Sequence, residues 1–267
     1  MNPYRVRINN LKKFISNFKR VAVAYSGGVD SSLVLKVSGD VLGKNNVVAV
    51  TGVSETYPMS DFMTAKKITG LLGVRHVMVK TTELATVSFR ENSPLRCYHC
   101  KKELFSKIKR IADKYGADAV FDGSNYDDRC DFRPGRKAAE ESGVLSPLLR
   151  NRITKDDVRK ISRTLGLRTW DKPQMACLAS RIPYGTAISK PALKRIEAAE
   201  NILCNMGFRD VRVRHYGDIA RVEVSSGQTK RLFVPENRKS IIRKLKKLGY
   251  KYITVDLEGY RTGSMNE

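Results

Sequence analysis

No apolar run in this 267-residue sequence approaches the ~18 residues of a membrane-spanning helix, so nothing in it reads as a span. The opening stretch, MNPYRVRINNLKKFISNFKR, is basic but has no apolar core followed by small residues. A cleaved leader is therefore not expected, and the cytoplasm is the expected location. There are five cysteines (97, 100, 130, 177 and 204). In a reducing compartment they read as metal ligands, catalytic thiols or core residues before disulfides. Histidine is scarcer still, at three residues (76, 99 and 215). A four-ligand zinc site built on Cys97 and Cys100 has little to draw on, because His99, between the two cysteines, could serve only awkwardly. Internal repeats and low-complexity tracts are absent.

Acidic residues are also in short supply: 27 Asp and Glu stand against 50 Lys and Arg, a net charge of +23. That balance favours polyanionic partners, either nucleic acid or phosphorylated small molecules, with a merely basic surface as the alternative. The charge is densest in RKSIIRKLKKLGYK (238–251), where apolar residues at 241, 242, 245 and 248 keep helical spacing. This reads as a solvated helix face before it reads as an RNA site. Apolar residues, at 41%, are ample for a sizeable core.

Along the first half, short apolar runs alternate with amphipathic stretches. VAVAYSG (21–27), VVAVTG (47–52), VRHVMVK (74–80) and AVFDGSN (119–125) have the length and bounds of buried strands. Between them, DSSLVLKVSGDVLG, MSDFMTAKKITGLLG and CKKELFSKIKRIADKYG each end in Gly, as helix C-termini commonly do. Strict alternation predicts an α/β fold with a doubly wound parallel sheet, whose ligands bind beyond the carboxyl ends of the strands. A further helix is expected over 153–167, with Thr154 as N-cap, Asp157 at its third position and Gly166 closing it. RTWDKPQ (168–174) breaks the pattern. Beyond it a helix (190–206), the runs VRVRHY and ARVEVS, another helix (238–248) and KYITVDL make a smaller α/β domain. The expected domains are 1–173 and 174–267.

The most informative stretch is VAVAYSGGVDSSLVLK (21–36). A buried strand runs into Ser26, Gly27, Gly28, Val29, Asp30, Ser31 and Ser32, and a helix follows at once. Adjacent glycines bring backbone N–H groups against an anion, the two serines add hydroxyl donors, and the helix presents the positive end of its dipole. No Lys follows the second Gly, so this is not the G-x-x-x-x-G-K-[ST] loop. In the second half, KPQMACLASRIPYG (172–185) places Arg181 four residues from Cys177, and a nearby cation favours the reactive thiolate.

The loop resembles the SGGxDS pyrophosphate (PP) loop of the ATP pyrophosphatase superfamily, with its adenine-nucleotide-hydrolase fold. By that resemblance Ser26, Gly27, Gly28, Asp30, Ser31 and Ser32 bind ATP and hold the departing pyrophosphate, with Asp30 placing Mg²⁺. Taken with PLRCYHCKKELF, DGSNYDD, RPGRKAAEESGVLSPL, KPQMACLASRIPYG and VRVRHYGDIARVEV, the sequence is similar over most of its length to the LarE family. That family adenylylates a carboxylate of pyridinium-3,5-biscarboxylic acid mononucleotide and replaces it with a thiocarboxylate, a step toward the nickel-pincer nucleotide.

The resemblance implies a good deal more. Cys177 is the sulfur-delivering residue, either giving up its own sulfur or joining Cys97 and Cys100 in holding a [4Fe–4S] cluster that carries an extra sulfide. Ser180, Arg181, Arg212 and Arg214 fall at phosphate-binding positions. Glu200 and Glu223 match acidic positions that hold a divalent cation or the substrate's surroundings, although SSGQTKRLF lacks the acidic residue that often follows, and Asp128 is a second Mg²⁺ anchor. Arg133 and Arg136 belong to a loop covering the site; Cys204 is expected in the core and Cys130 beside the site. The implied partners are a small-molecule nucleotide and a sulfide source, with no membrane, in a homo-oligomer. The alternative is a tRNA 2-thiolation enzyme, which also joins a PP loop to a CxxC pair and a third cysteine.

Overall fold

The computed structural model describes residues 3–129, 134–173 and 176–261. Two compact units account for its internal contacts: Met1–Glu83 with Pro94–Met175, and Leu84–Ser93 with Ala176–Glu267. The first unit begins with α1 (Pro3–Ile15), β1 (Val21–Ala24), α2 (Val29–Leu42), β2 (Val47–Val53), α3 (Met59–Leu72) and β3 (Arg75–Lys80). The short helix α4 (Val87–Arg90) belongs to the second unit. The first then continues with α5 (Arg96–Lys114), β4 (Ala119–Phe121), α6 (Pro134–Glu141), α7 (Pro147–Arg150) and α8 (Lys155–Thr164).

Its four strands are parallel, in the order β3-β2-β1-β4. Side chains alternate between the two faces, as a strand's period of two requires. Val21, Val23, Val47 and Ala49 enter one core with residues of α1, α2, α3 and α8. Ala22, Val48, Val50 and Val120 enter another with α5 and α6. Helices on both faces make the expected doubly wound α/β sheet. The chain order reverses at β1, with β2 on one side and β4 on the other, so the ligand crevice lies beyond the carboxyl ends of β1 and β4. Glycine is required at two points there. Gly27 has φ +77°, and a Cβ on Gly123 would sit 2.8 Å from the backbone N of Ser31.

Local signals explain most element ends. Helix α8 begins at the expected capping box: Thr154 Oγ1 accepts from the Asp157 N–H, and the Asp157 carboxylate accepts from the Thr154 N–H. Arg7 of α1 pairs with the same carboxylate. Helix α5 departs from expectation by starting at Arg96 and not at Cys100, so Cys97 lies on the helix with Cys100 instead of in a loop ahead of it. Its buried face runs through Arg96, Phe105, Ile108 and Ala112, and the polar residue opening that stripe hid the helix start. Arg136, expected in a covering loop, lies on α6 and pairs with Glu140 at 3.2 Å. Cys130 and Arg133 lie outside the described residues.

The second unit adds α9 (Lys190–Asn205), β5 (Arg212–Tyr216), β6 (Ile219–Glu223), α10 (Thr229–Leu232), α11 (Pro235–Lys247) and β7 (Tyr252–Val255). β5 and β6 are antiparallel, while β6 and β7 are parallel. Ala199 and Leu203 of α9 and Ile241 and Leu245 of α11 pack with the valines of β5 and β6. Cys204 is exposed and not in the core, because the buried stripe of α9 passes through Leu203 beside it. Segment 84–93 is fastened by the fully buried Asn92, whose amide nitrogen reaches the carbonyls of Ile182, Pro183 and Thr186 at 2.7–3.2 Å.

Candidate active site

Beyond β1 the loop 26–32 folds onto itself. Ser26 Oγ and Ser31 Oγ are 3.1 Å apart, the Gly28 N–H donates to Ser26 Oγ, and Ser31 Oγ donates to the Gly28 carbonyl. Gly28 is the N-cap of α2, so the helix's first N–H groups face the same turn. Ser32 faces the core side of the turn. It is fully buried, with its hydroxyl 3.3 Å from the Tyr25 hydroxyl, whose pKa burial pushes up to about 12. Tyr57 donates to the Ser26 carbonyl at 2.7 Å and pins the outer side of the loop.

The Asp30 carboxylate is engaged on both oxygens, by Asn125 Nδ2 at 3.2 Å and by the Lys155 ammonium. Asn125 follows β4, and its own N–H donates to Asp128 at 3.0 Å, which places the buried Asp128 one residue contact away from Asp30. Lys172 reaches the Gly27 carbonyl at 3.3 Å and Asp61 at 3.0 Å. Lys155, Lys172, Asn125 and Tyr57 are the residues that sequence reasoning missed. Lys155 lies 125 positions from Asp30, and no spacing rule joins them; only the strand order, which puts the ends of β1 and β4 together, could have pointed to it.

In the second unit Arg181 is almost wholly buried and each of its three nitrogens is engaged. It grips Glu200 through two bonds of 2.9 and 3.0 Å and donates to the carbonyls of Ala176 and Cys177 and to Ser180 Oγ. Burial depresses its pKa, but the charge and hydrogen bonds of Glu200 outweigh that and leave it raised. Arg214 repeats the arrangement, with two 2.8 Å bonds to Glu223 and one of 2.9 Å to the Ser180 carbonyl. Arg212 lies over the Tyr260 ring at 4.8 Å, its pKa lowered by burial and by the charge of Arg181. Three arginines (181, 214 and 221) thus pair with the carboxylates of Glu200, Glu223 and Asp256, and Arg212 lies within reach of the charges of Arg181 and Glu200. The structure brings Ser180, Arg181, Arg214, Glu200 and Glu223 together, and Cys177, exposed, stands on the backbone that Arg181 holds.

Glu200 and Glu223, expected at a divalent cation, instead each face a guanidinium. Among the described residues no group of three or more His, Cys, Asp or Glu is placed to hold a metal ion. Cys97 is exposed and Cys100 half-buried, one turn apart on α5. His76 is engaged by the Thr51 and Thr69 hydroxyls, and His215 by Tyr250, so both serve packing. Among the described residues no helix is long and apolar enough to cross a membrane.

A family model described as NAD synthase matches residues 6–113, the stretch holding the loop and the first three strands. An uncharacterized protein of Synechocystis sp. is 40% identical over 97% of both chains. The pyridinium-3,5-bisthiocarboxylic acid mononucleotide synthase of Lactiplantibacillus plantarum is 38% identical over 95% of this chain and 91% of its own. A tRNA-specific 2-thiouridylase of Rickettsia massiliae is 26% identical over 71% of this chain and 62% of its own. A phosphate loop at the switch point of a doubly wound sheet, with these matches, defines an ATP-dependent enzyme of the PP-loop class. Within that class the chain belongs to the LarE family, that of the mononucleotide synthase.

Proposed function

We propose that this enzyme transfers sulfur, at the expense of ATP, to a carboxylate of a pyridinium biscarboxylate mononucleotide. The observation that carries the reading is the Arg181 clamp, in which one buried guanidinium ties the Cys177 carbonyl, Ser180 and Glu200 together beneath the exposed Cys177. A substrate with a phosphate and two carboxylates suits the arginine-rich surroundings of Ser180, where Arg212 and Arg214 are the assigned anion contacts and Arg181 holds Ser180 in place. ATP is assigned to Ser26, Gly27, Gly28, Asp30, Ser31 and Ser32, with Asp30 and Asp128 as Mg²⁺ anchors. Buried Ser32 acts by fixing the loop on Tyr25, and exposed Ser26 is the hydroxyl placed to donate to phosphate, with Ser31 bracing it from 3.1 Å. Lys155 and Lys172 supply the cationic charge that a P-loop lysine provides elsewhere, and Mg²⁺ on Asp30 would release Lys155 toward phosphate.

The substrate carboxylate attacks the α-phosphorus, the α–β bridging bond breaks, and pyrophosphate leaves from the loop. A sulfur nucleophile then adds to the acyl carbon and AMP departs with the carboxylate oxygen: sulfide leaves the thiocarboxylate directly, whereas the Cys177 thiolate leaves a thioester that frees it when the Cβ–Sγ bond breaks by loss of the Cα proton, with dehydroalanine left at 177. Cys177 is assigned to sulfur delivery, with its backbone held by Arg181. As a donor set, two thiols one helical turn apart and a third exposed thiol suit a [4Fe–4S] cluster at Cys97, Cys100 and Cys177. Such a cluster, with one iron lacking a protein ligand, supplies a transferable sulfide when bound.

The test is pyrophosphate release by the full chain with MgATP. Release that depends on pyridinium-3,5-biscarboxylic acid mononucleotide supports the reading. Release that depends on tRNA and not on the mononucleotide would replace it with tRNA thiolation.

A further inference from the structure

The proposed chemistry uses the carboxyl ends of the first unit's strands and leaves much of the +23 charge without a role. At the amino ends of β1, β2 and β3 lies a second concavity of about 580 Å³, floored by Val47 and walled by Arg20, Lys44, Arg75, Asn46 and Tyr115. No carboxylate lines it. The nearby Asp118 accepts from the main-chain N–H groups of Lys19 and Arg20, at 2.6 and 3.0 Å, and not from the Arg20 guanidinium.

The three cations have donors to spare. Arg20 makes one side-chain bond, from Nε to Asn46 at 3.3 Å, and Arg75 makes one long contact of 3.5 Å to the Tyr115 hydroxyl while lying over its ring. Among the described residues no carboxylate lies within ion-pair distance of Arg20, Lys44 or Arg75. A simpler reason for cations here is that α3 and α5 end beside the cleft, where the helix dipole is negative. Those helix ends are already closed by backbone groups. The Gly73 N–H donates to the Gly70 and Thr69 carbonyls, and the Ala117 N–H to the Ala112 carbonyl. The side-chain donors therefore remain directed at the cleft, although the dipoles will temper any affinity for an anion.

We propose that this cleft is a second binding site, separate from the ATP loop, for a phosphorylated small molecule of mononucleotide size. The volume falls within the roughly 300–1,000 Å³ of small-ligand pockets. A nucleic-acid backbone calls instead for an extended basic track with stacking platforms along it. The three cations supply the phosphate contacts, and the Tyr115 ring, with Arg75 against it, forms one wall.

Equilibrium dialysis of labelled AMP against the full chain tests this, comparing wild type with Lys44→Gln/Arg75→Gln. Both residues are exposed, so folding should survive; an unchanged melting temperature and unchanged substrate-dependent pyrophosphate release confirm that it does. The expected result is that wild type binds about one more AMP per chain than the variant, whose affinity at that site falls roughly tenfold or more. That extra binding should weaken as salt is raised. A single Lys44→Glu variant should show the same loss and guards against a fold defect in the double variant. Equal AMP binding by wild type and both variants overturns the proposal. So does a variant that keeps AMP but loses single-stranded oligonucleotide, since the cleft would then be part of a nucleic-acid track.

Discussion

Replacing Arg181 with Met should unsettle the second unit more than its single position suggests. Arg181 is 3% exposed and Glu200 12%, and the two share a bidentate pair of 2.9 and 3.0 Å. In Arg181→Met the Glu200 carboxylate keeps the Val213 N–H at 3.0 Å but loses its counter-charge. Removing one partner of a buried pair costs about 3–5 kcal/mol, a large share of a domain's total of roughly 5–15 kcal/mol. Methionine fills much of the volume, so the loss is chiefly electrostatic. The double variant Arg181→Met/Glu200→Gln removes the stranded charge and should recover about 1–3 kcal/mol relative to the single variant. Full recovery is not expected, because the carbonyls of Ala176 and Cys177 still lack their donor. Urea denaturation of the wild type, both single variants and the double variant gives the cycle. If Arg181→Met costs under about 1 kcal/mol, or the double variant shows the full sum of the single losses, the clamp is not the stabilising unit described.

Three further predictions address other links. Gly123→Ala drives a methyl into the backbone of Ser31 at 2.8 Å, so it should cost about 1–3 kcal/mol by thermal melting and raise the KM for ATP. The Asp157 carboxyl pays for burial, but the Thr154 and Arg7 hydrogen bonds outweigh that and hold its pKa below the ordinary 3.8. Its contribution to stability is therefore present above pH ~4 and is lost as pH falls through the lowered value, so wild type and Asp157→Asn should converge in melting temperature in strong acid. After anaerobic reconstitution, iron and acid-labile sulfide should approach about four each per chain and fall sharply in Cys97→Ser, while zinc or no metal would limit sulfur delivery to Cys177 alone.

What could be read from the sequence depended on whether the signal was local. The parallel strands and their covering helices declared themselves through apolar runs and periodicity, and the Thr154–Asp157 box marked α8 because capping is a contact three residues long. The loop 26–32 was legible for the same reason: strand, glycines, serines and helix follow in one stretch. Positions fixed by distant partners were not. Arg96 opens a helix as a buried polar residue, so the apolar stripe appeared to begin later and Cys97 seemed to lie in a loop. Lys155 meets Asp30 only because β4 lies beside β1, and Asn92 carries its segment into the second unit through three carbonyls some ninety residues away. Arg181 and Arg214 could be named as anion-binding residues, but their partners Glu200 and Glu223 read as cation ligands, since a carboxylate looks the same in sequence beside either.

If adenylylation belongs to the phosphate loop and sulfur delivery to Cys177, the two half-reactions should separate in Cys177→Ala. With MgATP, the mononucleotide substrate and the reconstituted chain, pyrophosphate release and thiocarboxylate formation are followed together. Cys177→Ala should still release pyrophosphate in a substrate-dependent first turnover but yield no thiolated product by mass spectrometry. Thiolated product from Cys177→Ala at the wild-type rate would contradict that assignment.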